Sequence, residues 1–168
     1  SHGVESISIH GGGEPTLHKR FIDCIKYIKD RGAKCTSISN GYLLNDALNQ
    51  KIADSGLDTL RLSVVGYNAK TYFEWMKKDA FYQVRENVKK LVELCKGTNT
   101  SVEAQHLVLN INEKDYEIEQ YQKNWVDYTN TKSEIWMMHN WSGEYDSPYE
   151  RRKENRRSCA RPFSPRLQ

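Results

Sequence analysis

Cysteine is scarce in this sequence, and its cysteines never lie close together. The four of them stand at positions 24, 35, 95 and 159, with no Cys-x-x-Cys pair. Structural zinc sites and small disulfide scaffolds both need cysteines at short spacings. The spacing therefore argues against both classes, and a reducing cytoplasm is the expected location.

Long apolar runs and a strong charge imbalance are also missing. No stretch approaches the roughly 20 residues of a membrane-spanning helix, so we expect no membrane association. The formal net charge of +3 is too small to indicate nucleic-acid binding by itself. The length of 168 residues suffices for one domain with its own hydrophobic core.

Three common functional signatures are absent as well. No Gly-Lys-Ser/Thr follows the glycine-rich turn, which argues against a P-loop, and no Gly-x-Gly-x-x-Gly supports a dinucleotide-binding fold. The five histidines form no His-x-x-x-His pair, which argues against a metal site of that type.

Strand-like and helix-like segments alternate along most of the chain. Because repeated strand–helix units imply a parallel sheet with right-handed crossovers, the predicted fold class is α/β. Five strands fit part of a (β/α) barrel, and a flat doubly wound sheet is the structural alternative. The predicted strands are residues 4–9, 33–39, 59–65, 101–109 and 133–139, and the clearest helix covers residues 81–95. The first predicted helix places Leu17, Phe21, Cys24, Ile25 and Ile28 on one apolar face, and Asn112 is the predicted cap of the helix after the fourth strand.

A turn of three glycines, an acid and a proline separates the first strand from the first helix. Glycine permits positive φ and lets a ligand approach the main chain. The carboxylate of Glu14 suits an ammonium group, and Pro15 stiffens the helix entrance. Ligands of α/β folds bind at the carboxyl ends of strands, so the turn predicts a ligand site. A tight connection without a ligand is the alternative.

The sequence Gly12-Gly13-Glu14-Pro15 resembles the Gly-Gly-Glu-Pro motif of radical S-adenosylmethionine (radical SAM) enzymes. In that family the motif closes the second barrel strand and binds the amino group of the cofactor. Ser39-Asn40-Gly41 resembles the Thr-Asn-Gly that ends the third strand. Residues 61–66 resemble the fourth-strand Ser-hydrophobic-Asp-Gly, with Val65 in place of Asp. Residues 102–112 and 135–143 correspond to the fifth and sixth strands.

The resemblance implies a SAM-binding barrel of the TIM-barrel type that spans its second to sixth strand–helix units. A four-iron four-sulfur cluster would cleave SAM reductively, and a 5′-deoxyadenosyl radical would abstract hydrogen from a peptide or small-molecule substrate. An electron donor such as flavodoxin or ferredoxin is an implied partner. Gln105 has a second interpretation as a satisfied core amide. The implied cofactor-binding residues are Gly12, Gly13, Glu14, Pro15, Asn40, Ser63 and Gln105.

The cysteine triad that holds the cluster in this family is not in the sequence. Since Ser1 is not a start methionine and the first strand begins almost at once, we expect a segment of a longer protein. The triad, Cys-x-x-x-Cys-x-x-Cys, would lie roughly 30–40 residues upstream, one strand–helix unit away. A degenerate barrel that binds a small ligand without redox chemistry is the alternative.

The last cysteine stands apart from the periodic part of the chain. Residues 1–146 are the predicted barrel, and residues 147–168 are a predicted linker and the start of a C-terminal extension. The segment around Cys159 resembles the entry to the SPASM or twitch extension of radical SAM enzymes, where a cysteine ligates an auxiliary iron–sulfur cluster. A linker cysteine without a role is the alternative.

Overall fold

Five parallel strands form one sheet in the computed structural model, which describes residues 3–137. The strands lie in the order of the sequence, and every neighbouring pair is parallel. A doubly wound sheet reverses its strand order at a switch point, whereas a barrel wall does not. The predicted α/β barrel segment is therefore confirmed. The strands are β1 (Ser6–Ile9), β2 (Lys34–Ser39), β3 (Thr59–Ser63), β4 (Ser101–Val108) and β5 (Lys132–Met137).

Helices connect the successive strands. No helix between residues 3 and 137 has the length and apolar character needed to span a membrane. The last helix continues into a π-helical turn, Gln122–Asp127. The helices are α1 (Phe21–Lys29), α2 (Asp46–Ala53), α3 (Ala69–Met76), α4 (Phe81–Cys95) and α5 (Lys114–Tyr121).

The two sides of the sheet differ sharply in polarity. Successive strand residues point to opposite sides, and those that face the helices are fully buried, such as Leu60, Leu62 and Ala104. The residues between them, such as Arg61 and Ser63, are only half-buried. The sheet thus has a packed outer side and a polar inner side.

An aromatic cluster fixes the carboxyl end of β3. Trp125 packs on Tyr72 and Phe81, with ring centroids 6.1 and 5.4 Å apart. Its indole Nε1 donates a hydrogen bond to the Gly66 carbonyl at 3.0 Å. Burial raises the pKa of the Tyr72 phenol to about 12. The loop after β3 is therefore held by a side chain that is itself buried in the core.

Three details of the predicted helices are wrong. Leu17 does not share the buried face of α1, because it lies in a separate 3-10 turn, Pro15–Leu17, and is 70% exposed. The extended backbone of His18 separates that turn from α1. Cys24, predicted on an apolar face, is exposed. Asn112 does not cap the fifth helix; the side chain of Asn110 caps a preceding 3-10 turn instead.

Several predictions concern residues outside the described range. The fifth strand was predicted to end at residue 139, and the described strand runs to Met137. The predicted extension over residues 147–168, including Cys159, lies wholly outside the described residues. Both the domain boundary and the role of that cysteine therefore stay predictions.

Replacing Gly66 by alanine should destabilise the protein far more than the same change at Gly97. Both glycines have positive φ, +106° and +83°, which costs a residue with a Cβ roughly 1–2 kcal/mol. At Gly66 the added Cβ would also lie 2.4 Å from the Tyr72 backbone, whereas at Gly97 nothing lies within 4 Å. We expect about 1–3 kcal/mol of additional loss from this overlap. Thermal unfolding of the two variants measures the difference, and equal melting temperatures would contradict the packing described here.

Candidate functional site

A cavity opens where the carboxyl ends of β1, β2 and β3 meet. Its volume is about 260 Å³, slightly below the range of roughly 300–1,000 Å³ that is usual for small-molecule sites. The glycine turn forms one wall, and the ends of β2 and β3 form the other. The lining residues are His10, Gly11, Gly13, Glu14, Ile38, Ser39, Asn40 and Ser63.

The carboxylate of Glu14 connects the glycine turn to the end of β2. Its Oε1 accepts hydrogen bonds from the Thr16 amide at 3.1 Å, the Thr16 hydroxyl at 2.6 Å and the Ser39 hydroxyl at 2.7 Å. Its Oε2 accepts a hydrogen bond from the Asn40 amide at 2.7 Å. The same side chain therefore caps the Pro15–Leu17 turn and holds two neighbouring strand ends together.

One oxygen of this carboxylate retains capacity for another donor. A carboxylate offers about four lone-pair positions over its two oxygens. Oε1 of Glu14 already accepts three hydrogen bonds, whereas Oε2 accepts one. Because Glu14 also lines the cavity, Oε2 is the oxygen suited to an ammonium group of a ligand.

The three glycines are not required by the chain's own conformation. Gly11, Gly12 and Gly13 do not have positive φ, so the prediction that they serve a left-handed backbone is wrong. A Cβ at each of them would meet nothing within 4 Å. Neither backbone strain nor packing explains glycine at these positions. The open space beside them leaves room for a molecule from outside the chain to approach the main chain closely.

The residues predicted for the site are brought together in part. Gly13, Glu14, Asn40 and Ser63 line the cavity, while Gly12, Pro15 and Gln105 do not. Pro15 is the first residue of the 3-10 turn. Asn40 donates its backbone amide to Glu14, and its side-chain oxygen accepts a hydrogen bond from the Tyr42 amide at 2.9 Å. Asn40 thus both lines the cavity and shapes the turn.

Gln105 extends the polar inner side beyond the cavity. The register places it beside Ser63 on β3 and beside Glu134 on β5. Gln105 is half-buried, and its neighbours Ala104 and His106 are the residues that face the packed side. It does not belong to the helix-packed core, and it faces the same inner space as Ser63.

Sequence reasoning missed a charged cluster on this inner side. Arg61 Nε lies 3.1 Å from Glu103 Oε2 and 3.1 Å from Glu134 Oε2. Part of the signal was in the sequence, because Arg61 and Glu103 alternate with apolar residues, and strand register then places Glu134 on the same side as Ser63 and Gln105. In a sequence, charged residues on a strand are usually interpreted as solvent-exposed. Only the strand register shows that these three lie side by side on the inner side of the sheet.

A second missed feature holds the loop after β4. Glu117 is 1% exposed, and its carboxylate accepts hydrogen bonds from the Leu109 amide at 2.7 Å and the Asn110 amide at 3.1 Å. His106 Nε2 lies 2.8 Å from the same carboxylate, and its ring stacks on Tyr121. This pair lies on the helix side of the sheet, so it supports the cavity end without lining the cavity.

The described residues offer no cluster-binding site. Between residues 3 and 137, no group of three or more His, Cys, Asp or Glu side chains could hold a metal ion. Cys35 and Cys95 are buried, and burial raises the pKa of both thiols, that of Cys35 to about 11. Thiolates ligate iron–sulfur clusters. These residues therefore do not fit such a role.

Comparison with known proteins identifies related sequences and folds. The family described as the Radical SAM superfamily matches residues 1–119. A probable GTP 3',8-cyclase of Methanocaldococcus jannaschii is 31% identical over 113 residues, which cover 67% of this chain and 37% of that protein. A protein of the same name from Saccharolobus islandicus is 31% identical over 93 residues, or 55% of this chain and 30% of that protein.

Solved structures show the same fold at lower identity. TYW1 with a bound lysine-pyruvate adduct has a TM-score of 0.63 and 18% identity, over 80% of this chain and 42% of that one. Streptococcus suis SuiB bound to its precursor peptide SuiA has a TM-score of 0.62 and 20% identity, over 82% of this chain and 30% of that one. The barrel segment described above therefore covers part of each of these folds.

Replacing Glu14 by glutamine should loosen the end of β2. The amide nitrogen of glutamine cannot accept a hydrogen bond, so one carboxylate oxygen is lost as an acceptor. A hydrogen bond to a charged group contributes ~1.5–3 kcal/mol, so we expect the Asn40 amide to exchange with solvent roughly tenfold to a hundredfold faster. Residue-resolved hydrogen–deuterium exchange measures this. The exposed Glu119→Gln is the matched control, and equal Asn40 exchange in both variants would show that Glu14 does not hold the strand end.

Proposed function

Because this chain belongs to the radical SAM superfamily, we propose that the complete protein is a radical SAM enzyme and that the glycine turn binds SAM. The observation that carries the proposal is the turn itself. Three glycines with open space around them adjoin Glu14, which lines the cavity and has a free acceptor position on Oε2. This arrangement suits the ammonium group and main chain of an amino-acid-like ligand.

Each cavity residue has a role in this proposal. Glu14 accepts a hydrogen bond from the amino group of SAM, and Gly12 and Gly13 let the cofactor lie against the main chain. Asn40 and Pro15 keep the turn in place, as their contacts within the chain indicate. Ser63 and Gln105, adjacent in register on the inner side, make polar contacts to the rest of SAM.

The chemistry of the family depends on a four-iron four-sulfur cluster as well as on SAM. When both are bound, they supply one-electron cleavage of SAM and a 5′-deoxyadenosyl radical that takes hydrogen from the substrate. Residues 3–137 hold no set of cluster ligands, so the proposal places those ligands in another part of the protein. The contribution of this segment is to bind and orient SAM.

The chain spans about a third of the length of the curated relatives that it matches, 37% and 30% of the first two. The role proposed for this segment is therefore to bind SAM. A binding module without redox chemistry would keep the same cavity. Family membership favours the enzyme, because the match covers 119 of the 168 residues.

The complete protein should cleave SAM after anaerobic reconstitution with iron and sulfide. With dithionite as the reductant, we expect 5′-deoxyadenosine and methionine in equal amounts, measured by chromatography. In Glu14→Ala, loss of a charge-assisted hydrogen bond of ~1.5–3 kcal/mol should weaken SAM binding roughly tenfold to a hundredfold. Ser39→Ala retains the carboxylate and should weaken binding less. A reconstituted protein that binds SAM but never cleaves it would support the binding module instead.

We also infer that Cys159 ligates an auxiliary iron–sulfur cluster. The support is its motif, Cys159 followed by Ala160, Arg161, Pro162 and Phe163, which resembles the entry to a SPASM or twitch extension. Such a cluster needs several converging thiolates, so other ligands would have to come from elsewhere in the complete protein. After reconstitution, Cys159→Ala should lose about one cluster's worth of iron and still cleave SAM. Identical iron content in the two proteins would make Cys159 a linker residue.

A further inference from the structure

Arg85 on α4 is almost completely buried, and nothing among residues 3–137 forms an ion pair with it. Arg85 is 9% exposed, and its Nε is shielded from solvent without a hydrogen-bond partner. Its other N–H groups donate no hydrogen bond to a described residue either. Arginine is seldom buried unless it is paired, so the position of this side chain calls for a partner.

Two aromatic rings explain where the guanidinium lies but leave its hydrogen-bond donors unused. Its central carbon lies over the Tyr128 ring, 3.8 Å from the ring centre, and 4.9 Å from the centre of the Phe81 ring. Cation–π attraction acts through the faces of the rings. The five N–H donors of arginine lie in the plane of the guanidinium. The rings therefore hold the group in place, and its donors remain available to an acceptor.

The guanidinium of Arg85 lies close to the surface between α4 and the segment that follows α5. Tyr128, which covers it, is half-buried, and Lys89 beside it is exposed. Lys89 Nζ lies 4.9 Å from the centre of the same Tyr128 ring. Tyr128 directly follows the π-helical turn Gln122–Asp127, and such turns are rare and frequently lie at functional sites. A ligand from solvent can thus meet two cations beside one ring.

The charges around Arg85 leave one positive charge uncompensated. Arg85 and Lys89 are two cations without ion pairs in the described part of the chain, and Glu86 is the carboxylate whose charge acts on Arg85. Glu86 is exposed and accepts a hydrogen bond from the Tyr128 hydroxyl. Burial lowers the pKa of the Arg85 guanidinium, but arginine stays charged at neutral pH. The local charge therefore favours an anion.

We propose that Arg85 and Lys89 bind an oxyanion, the carboxylate or phosphate group of a ligand, between α4 and Tyr128. The planar guanidinium offers paired donors whose spacing matches two oxygens of either group. Lys89 adds a second positive charge beside the same ring. This site lies among the helices, and none of its residues lines the cavity next to Glu14. The inference therefore does not depend on SAM binding.

The test measures the melting temperature of the complete protein in inorganic phosphate, acetate or potassium chloride at equal ionic strength. An anion that binds only the folded state raises the melting temperature as its concentration rises, and this dependence gives its dissociation constant. We expect phosphate, acetate or both to raise the melting temperature above its value in chloride. A response to phosphate alone identifies a phosphate group as the ligand, and a response to acetate alone identifies a carboxylate.

Substitutions then locate the binding anion. Arg85→Met keeps a long side chain beside the rings, and we expect it to weaken the anion roughly tenfold to a hundredfold, as loss of hydrogen bonds to a charged group should. Arg85→Lys keeps the charge without the planar donors, so its effect should be smaller but in the same direction. Lys89→Gln should also weaken the anion. Arg20→Gln is the matched control, because Arg20 is exposed and pairs with Asp23 on the surface of α1.

Equal melting temperatures of the unaltered protein in the three salts would overturn the proposal. An anion response that persists unchanged in Arg85→Lys and Lys89→Gln would also overturn it, because the anion would then bind elsewhere. The same loss of response in Arg20→Gln would show that any arginine suffices and would equally contradict a specific site. If Arg85→Met does not fold, Arg85→Lys and Lys89→Gln decide the question.

Discussion

The contact between the Glu14 carboxylate and the end of β2 is the constraint on which the cavity depends. Without it the glycine turn would have no fixed position relative to Ser39 and Asn40. Next to this strand end, Gly41 is buried with a φ of +73°, and a Cβ there would lie 3.1 Å from Val84 Cγ1, so glycine is required at this turn. The glycine turn is thus held in place through the side chain of Glu14, and the space beside its three glycines stays open.

The difference between the two sides of the sheet explains how one strand can serve both stability and binding. Leu60 and Leu62 are fully buried against the helices, so they hold the sheet in place. Arg61 and Ser63, on the same strand, face the other side and are free to be polar. Because successive strand residues point to opposite sides of the sheet, one residue can pack against the helices while the next carries a polar group on the inner side.

Sequence reasoning predicted the strands and their parallel arrangement, because apolar alternation and glycine stops are local signals. It also predicted four residues that line the cavity, among them Glu14 and Ser63. It could not predict that Leu17 leaves α1, since that depends on the cap formed by Glu14. It missed the charged cluster of Arg61, Glu103 and Glu134, and it missed Glu117, for a related reason. Charged residues with partners far along the chain look like solvent-exposed residues until strand register brings them together.

The carboxylates at the two ends of the sheet have different hydrogen-bond partners. At the amino ends, Asp58 accepts hydrogen bonds from Lys29 Nζ and the Cys35 amide. Burial alone would raise the pKa of Asp58, but these two donors, together with the positive charges of Lys29 and Lys34, hold the pKa below its usual value. At the carboxyl ends, the Glu14 carboxylate accepts hydrogen bonds from backbone amides and from two hydroxyl groups. The Glu117 carboxylate accepts two backbone amides and lies 2.8 Å from His106 Nε2. The donors to Glu14 are all neutral, so they position its carboxylate at the cavity without supplying a compensating positive charge.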